Sequence, residues 1–213
     1  MSLPRDIVRR RVTVVDYGMG NLRSVAKYVS RAGGEVRISA DRADLEWAER
    51  IILPGVGAFP DAMAELERRE LINPLRDMVE GEKKPLLGIC LGMELLAQFS
   101  PEVRDTRGMG WVDAEMKPFD RASMRVPHVG WNQITNRNPC PLLEGVEDGS
   151  FFYFVHSFHM VSHRPELVTA TSRYGHDFTA VIQQGNVYGT QFHPEKSQSA
   201  GFLLLRNFIE KDL

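Results

Sequence analysis

The stretch KPLLGICLGMELLAQF, Lys84 to Phe99, constrains the fold more than any other part of the chain. It runs from an uninterrupted apolar segment into one cysteine flanked by Gly88 and Gly92, then into an apolar pattern of helical period. An apolar run without polar alternation reads as a strand buried on both faces, which belongs in a parallel sheet covered by helices. The preceding sequence repeats that order. RVTVVDYG (Arg11 to Gly18) reads as a buried strand, and Asn21 then opens a helix with Leu22, Val25, Val29 and Ala32 on one face, stopped by Gly33-Gly34. EVRIS follows, RIILPGVG ends a further apolar run in a glycine turn, and Ala58 to Glu80 carries helical patterning broken near Asn73-Pro74. Strands separated by helices imply right-handed crossovers.

Beyond Phe99 the texture changes. GWVDAEMKPF, GWNQIT, SFFYFVHSF, ELVTATS and DFTAVIQQGNVYGTQF are strand-like pieces with few helical periods between them. Antiparallel pairing is expected there, with a hairpin turn at Gln184-Gly185-Asn186 and a closing amphipathic helix over Ala200 to Lys211. The expected fold is therefore α/β: a mainly parallel central sheet flanked by helices, with antiparallel additions in the C-terminal half. No repeat or long linker divides it, so residues 1–213 read as one domain, with residues 1–10 as a flexible lead-in.

Twenty-six basic residues against 28 acidic ones supply no field for polyanions or anionic lipid, which disfavours nucleic-acid and membrane partners. No stretch approaches the roughly 18 to 20 apolar residues of a spanning helix, and MSLPRDIVRRR lacks the apolar core of a signal peptide. A cytoplasmic chain is expected, its two cysteines reduced and not part of a disulfide framework. Cys140 lies between two prolines with no charged neighbour to stabilise a thiolate, and reads as structural.

Cys90 is different. The order apolar strand, Gly-Ile-Cys-Leu-Gly, apolar helix has the form of a nucleophile elbow, in which small residues permit a tight turn and leave the nucleophile exposed above the sheet edge. Helix amides and dipole at such a turn lower a thiol pKa from about 8.5. The same stretch also fits a buried structural cysteine closing a strand. A thiolate nucleophile needs a base, and among six histidines His193 in YGTQFHPEKS follows a strand, with Glu195 two positions on. In an extended segment those two side chains point to one side, so the carboxylate can hold the imidazole in its productive tautomer. Cys90, His193 and Glu195 then form a triad, although HPE alone also fits a turn with a surface salt bridge. LPGVGAF offers oxyanion donors, since Gly55 and Gly57 expose backbone amides after a buried strand; alone it is equally an ordinary glycine turn. In a doubly wound sheet this loop and the elbow both emerge at the carboxyl ends of strands.

PGVGAF, GICLGMELL and QFHPEKS, in that order, resemble the glutamine-hydrolysing domain of the class I glutamine amidotransferases, a flavodoxin-like fold. The resemblance implies a Cys-His-Glu triad that attacks the side-chain amide of glutamine, releases ammonia and hydrolyses a glutamyl thioester, with neither metal nor cofactor. It makes Cys90 the nucleophile, His193 the acid and base, Glu195 the orienting carboxylate, Gly57 and Leu91 the oxyanion amides, and Gly55, Gly92 and Glu94 substrate-binding positions. Glu94 departs from the glutamine often found at its place, which bears on affinity more than on reaction type. DYGMGNLRSV, PHVGWN and FYFVHSF further resemble the glutaminase subunits of imidazole glycerol phosphate synthase, over nearly the whole chain. That implies docking on a separate (β/α)8-barrel cyclase subunit in histidine biosynthesis, through an interface that includes Asn21, Trp131 and Lys196. It also implies a PGVG loop that completes the oxyanion hole when the barrel is loaded, and a glutaminase silent until then.

Each of these positions also has a plainer reading: Asn21 as a helix cap, Trp131 as core, His128 and His156 as hydrogen-bonded structural histidines. Three other functions remain compatible with parts of the pattern. They are a paralogous glutaminase for another ammonia-using synthase, a free-standing cysteine hydrolase, and a non-catalytic scaffold that keeps the fold alone.

Overall fold

The computed structural model describes residues 9–213; the expected lead-in over residues 1–10 lies mostly outside them. Strand β1 (Arg11–Val15) leads through a glycine-containing loop to helix α1 (Leu22–Arg31), then β2 (Glu35–Ser39), α2 (Arg42–Trp47), β3 (Arg50–Gly55), α3 (Phe59–Arg68), α4 (Ile72–Arg76), β4 (Leu86–Cys90) and α5 (Leu91–Glu94). The second half is strand-rich: β5 (Phe99–Ser100), β6 (Thr106–Arg107), β7 (Ala114–Pro118), β8 (His128–Asn136), β9 (Phe151–His156), β10 (Phe158–Ser162), β11 (Val168–Tyr174), β12 (His176–Gln184) and β13 (Val187–Thr190), closed by α6 (Gln198–Glu210).

Among the described residues, nine strands form one sheet in the order β2-β1-β3-β4-β13-β12-β11-β8-β9. The pairs from β2 through β13 are parallel, and those from β13 through β9 antiparallel. A small second sheet runs β10-β7-β5-β6. The expected mixed architecture is the observed one.

Alternation along the central strands sorts side chains between two cores. Ile51, Leu53 and Leu86 face one core, with Leu45, Phe59, Leu66 and Leu75 of the helices α2 to α4. Val12, Val14, Ile52, Leu87 and Ile89 face the other, with Val25 and Val29 of α1 and Leu204 and Phe208 of α6. Every residue of β4 is buried, as a parallel strand covered on both sides requires.

The structure corrects four local expectations. The first strand stops at Val15, because the Asp16 carboxylate accepts from the Gly18 amide at 3.0 Å and turns the chain. The break in the long helical stretch falls at Glu70, with φ of 56°, rather than at Pro74. Pro74 sits instead in the first turn of α4, where a missing N–H costs no hydrogen bond. The helix after Cys90 is a single turn, and the final helix begins at Gln198, two residues before the expected Ala200. The expected hairpin joins β12 to β13 through Gly185 and Asn186, and the Asn186 amide donates to the Val79 and Lys84 carbonyls at 2.9 Å each.

Candidate active site

Cys90 ends β4 and starts α5 with φ of 54° and ψ of −113°, a backbone that residues bearing a side chain rarely adopt. The packing around it forces the turn. A Cβ on Gly88 would stand 2.6 Å from the Gly92 carbonyl oxygen, and one on Gly92 would overlap the Leu53 carbonyl. Strand β3, the elbow turn and β4 thus pack backbone to backbone, and only glycine fits at either position.

The thiol is 6% exposed and donates to the Val155 carbonyl at 3.7 Å. It makes no hydrogen bond to His193 among the described residues. Burial pushes its pKa above the ordinary thiol range, the Glu94 carboxyl adds to the shift, and the Leu91 amide opposes it. This reverses the expectation of a lowered pKa. A single helical turn carries little dipole, and the desolvation of a sulfur held against a carbonyl outweighs one amide.

His193 follows β13 and is 2% exposed. Its Nδ1 lies 2.9 Å from Glu195 Oε1, so Nδ1–H donates to the carboxylate and Nε2 carries the lone pair. That Nε2 is buried and has no partner among the described residues. The pairing forms in a short 3₁₀ turn, Pro194–Lys196, and not in the extended segment expected from the sequence. The turn is fastened to β9: His193 N–H donates to the Tyr153 carbonyl at 2.9 Å, Tyr153 N–H donates to Ser197 Oγ at 3.0 Å, and Ser197 Oγ–H donates to the His193 carbonyl at 2.6 Å.

Cys90 and His193 line one cavity of about 350 Å³, with Val56, Gly57, Leu91, Glu94, Glu102, Pro127, Val155, His156, Ser157 and Phe158. Its volume suits a small metabolite. Gly57 has φ of 117° and sits on the cavity wall. Gly55 and Gly92 do not line it; they lie behind the wall, where Gly55 packs against Tyr17 Oη, Leu91 and the Gly92 amide. Glu94 is 6% exposed and accepts from Gln191 Nε2 at 2.8 Å. Burial pushes its pKa up to about 8, the Gln191 amide partly offsetting this and Glu102 reinforcing it. Near neutrality Glu94 is thus largely an uncharged carboxylic acid, able to donate as well as accept.

Sequence reasoning missed Glu102, Pro127, Val155, Ser157 and Phe158. Glu102 is half-buried and accepts the Phe59 amide at 2.7 Å, where α3 begins. Its place in SPEVRD gave no periodic or spacing signal, whereas Val155 to Phe158 lay inside the quoted FYFVHSF. His156 donates from Nδ1 to the Phe158 carbonyl at 2.7 Å and accepts from His128 Nδ1 at 3.0 Å, so both rings are hydrogen-bonded and His156 also borders the cavity. Cys140 is buried in the second core, away from this cavity.

Of the expected interface residues, Asn21 stands at the N-cap position of α1 but makes no side-chain capping bond. Trp131 is 46% exposed on β8, and Lys196 is exposed with its ammonium 5.6 Å from the Tyr153 ring. Val129, Trp131 and Phe151 form an apolar outer face on β8 and β9, with Tyr153 paired to Trp131. Among the described residues, no helix is long and apolar enough to cross a membrane.

One cavity thus brings together a cysteine on a strained turn, an imidazole oriented by a carboxylate with Nε2 unpaired, and the backbone of Leu91 and Gly57.

Residues 13–211 match the family described as Glutamine amidotransferase class-I. The imidazole glycerol phosphate synthase subunit HisH 2 of Pseudomonas aeruginosa is 42% identical over 200 residues, 93% of this chain and 98% of that protein. The HisH subunit of Moorella thermoacetica is 45% identical over 201 residues, 94% and 95% of the two chains. In fold, the chain is similar to PurLQS from Thermotoga maritima, with TM-score 0.75 and 20% identity over 94% of this chain and 98% of that one. A solved glutamine amidotransferase gives TM-score 0.68 at 23% identity, over 91% and 98%. The chain belongs to the class I glutamine amidotransferases, and within them to the HisH subunits of imidazole glycerol phosphate synthase.

Proposed function

We propose that Cys90, His193 and Glu195 carry out the glutaminase reaction of this chain. The observation that carries the proposal is the strained backbone of Cys90 on the wall of one cavity with a buried, Glu195-oriented imidazole whose Nε2 is unpaired. His193 Nε2 takes the thiol proton, and sulfur attacks the carboxamide carbon of glutamine. The amides of Leu91 and Gly57 receive the oxyanion, and His193 returns the proton to the leaving nitrogen as ammonia departs. Water, activated by the same imidazole, then hydrolyses the glutamyl thioester to glutamate and frees the thiol.

The cavity lining includes no lysine or arginine among the described residues, and it carries two carboxyl groups. Glu102 at its edge suits the substrate ammonium, while Glu94, neutral near pH 7, acts as an amide-like donor and acceptor in the interior. In the resting chain the thiol is turned to Val155 instead of His193, which supports a glutaminase that stays quiet until a partner engages. That partner is a separate (β/α)8-barrel cyclase, docked on the apolar outer face of β8 and β9 with Asn21 and Lys196 at its margin. The ammonia passes to it in histidine biosynthesis, in the cytoplasm. An aromatic pair, Trp131 and Tyr153, gives this face the composition of an interface centre.

The test is glutamate release from glutamine by the chain alone, then with the cyclase from the same source and its ribonucleotide, with Cys90→Ala as control. Strong stimulation abolished by the substitution is expected. Cys90-dependent turnover indifferent to the cyclase would leave the chemistry and overturn the partner.

A further inference from the structure

The loop that carries Gly57 rests on a polar group which the proposed chemistry leaves unused. Tyr17, between β1 and α1, is fully buried, and its Oη has no hydrogen-bond partner among the described residues. An unpaired buried hydroxyl is costly, and folded proteins keep few of them. A phenylalanine would fill the same place in the first core without that cost.

The hydroxyl stands against one particular piece of backbone. A Cβ on Gly55 would lie 2.5 Å from Tyr17 Oη, 2.8 Å from Leu91 Cβ and 3.0 Å from the Gly92 amide. The phenol therefore sits where the loop after β3 meets the elbow. The loop itself is uncommitted, since the amides of Val56 and Gly57 make no backbone hydrogen bond among the described residues. Glycines on both sides of Val56 leave its peptides free to reorient. Burial first, then Cys90 and Glu94, push the Tyr17 pKa above the ordinary phenol range. It therefore stays O–H, a donor, at every pH at which a glutaminase works.

We propose that Tyr17 is a positioning residue for the glutaminase reaction: its hydroxyl donates to the backbone of the Gly55–Gly57 loop when glutamine fills the cavity, fixing the loop's amides on the oxyanion. The proposal rests on the glutaminase reading above. It accounts for the unpaired hydroxyl as a cost recovered in the state that does the chemistry. Tyr17 touches neither substrate nor thiol in this scheme, so its effect belongs to turnover and not to binding.

Tyr17→Phe tests it in the complex with the cyclase and its ribonucleotide. The expected result is a kcat for glutamate release about tenfold lower, a modest share of what a lost oxyanion donor costs. KM for glutamine should stay within twofold, and the thermal midpoint of the chain alone should be unchanged or higher. A kcat within twofold of the parent overturns the proposal. So does a fall in thermal midpoint that accompanies the fall in kcat, because the ring's packing would then explain both. If the parent complex releases no more glutamate than Cys90→Ala, the glutaminase reading itself fails, and this proposal with it.

Discussion

Cys90 and Cys140 are 6% and 8% exposed, both unpaired, and burial raises the pKa of both. By those measures they are the same residue. They differ in backbone and company: Cys140 has an extended φ of −148° and ψ of 126°, whereas Cys90 is held at positive φ beside a cavity shared with an imidazole. Under the proposed mechanism, reactivity is built from backbone strain and neighbours. It is not a property of the resting thiol, which is a poor nucleophile in either place.

The largest effect that would break this comparison is on turnover. Cys90→Ala should lower glutamate release by the stimulated complex by about 10⁴-fold or more, while Cys140→Ala leaves kcat within twofold; a comparable loss from Cys140→Ala would end the distinction. Next comes alkylation by a glutamine-like electrophile. Both thiols should react slowly in the isolated chain at neutral pH and faster as pH rises, because each raised pKa keeps the thiol protonated. Adding the loaded cyclase should accelerate Cys90 alone, by about a hundredfold, read by mass spectrometry of the two cysteine peptides. Trp131→Ala should weaken cyclase binding by about 2 kcal/mol, about thirtyfold in Kd by titration calorimetry, leaving Cys90 reactivity in the free chain untouched.

Glu94 sharpens the contrast from the side of stability. Its folded pKa, about 8, stands above the ordinary 4.5, so the folded chain holds that proton more tightly than the unfolded chain. The associated stability is full below about pH 4.5 and is lost as pH rises toward 8. Glu94→Gln removes the slope, and the melting advantage of the variant should grow from pH 5 to pH 8; a constant difference in calorimetry would show that Glu94 is charged throughout. The smallest effect is on Cys140, where replacement by alanine should cost about 1 kcal/mol in denaturant unfolding through lost packing.

Much of this was legible in the sequence because it was local. The glycines around Cys90, the HPE run and the PGVG turn each announce themselves within seven residues. The parallel strands did so by unbroken apolarity. The thiol's resting partner was not legible, because Val155 lies 65 positions away on the strand farthest along the sheet from β2, and no pattern in FYFVHSF specifies which carbonyl meets a sulfur. Glu102 was hidden for the same reason. Its link to Phe59 spans 43 positions and depends on how the small sheet settles against α3. The misplacement of the helix break at Pro74 had a local cause: the residue that disrupts a helix interior is welcome in a first turn, and the boundary decides which applies.

Strand β9 is the last of the nine, and the face it shares with β8 presents Val129, Trp131 and Phe151 to water. The turn around His193 and Ser197 occupies the strand's outer edge at Tyr153, but an exposed apolar patch of this kind still invites other surfaces onto it. If the proposed partner covers that face, a cell that made this polypeptide in excess of it would accumulate a sticky surplus, and balanced synthesis of the two products becomes a matter of solubility as well as of flux.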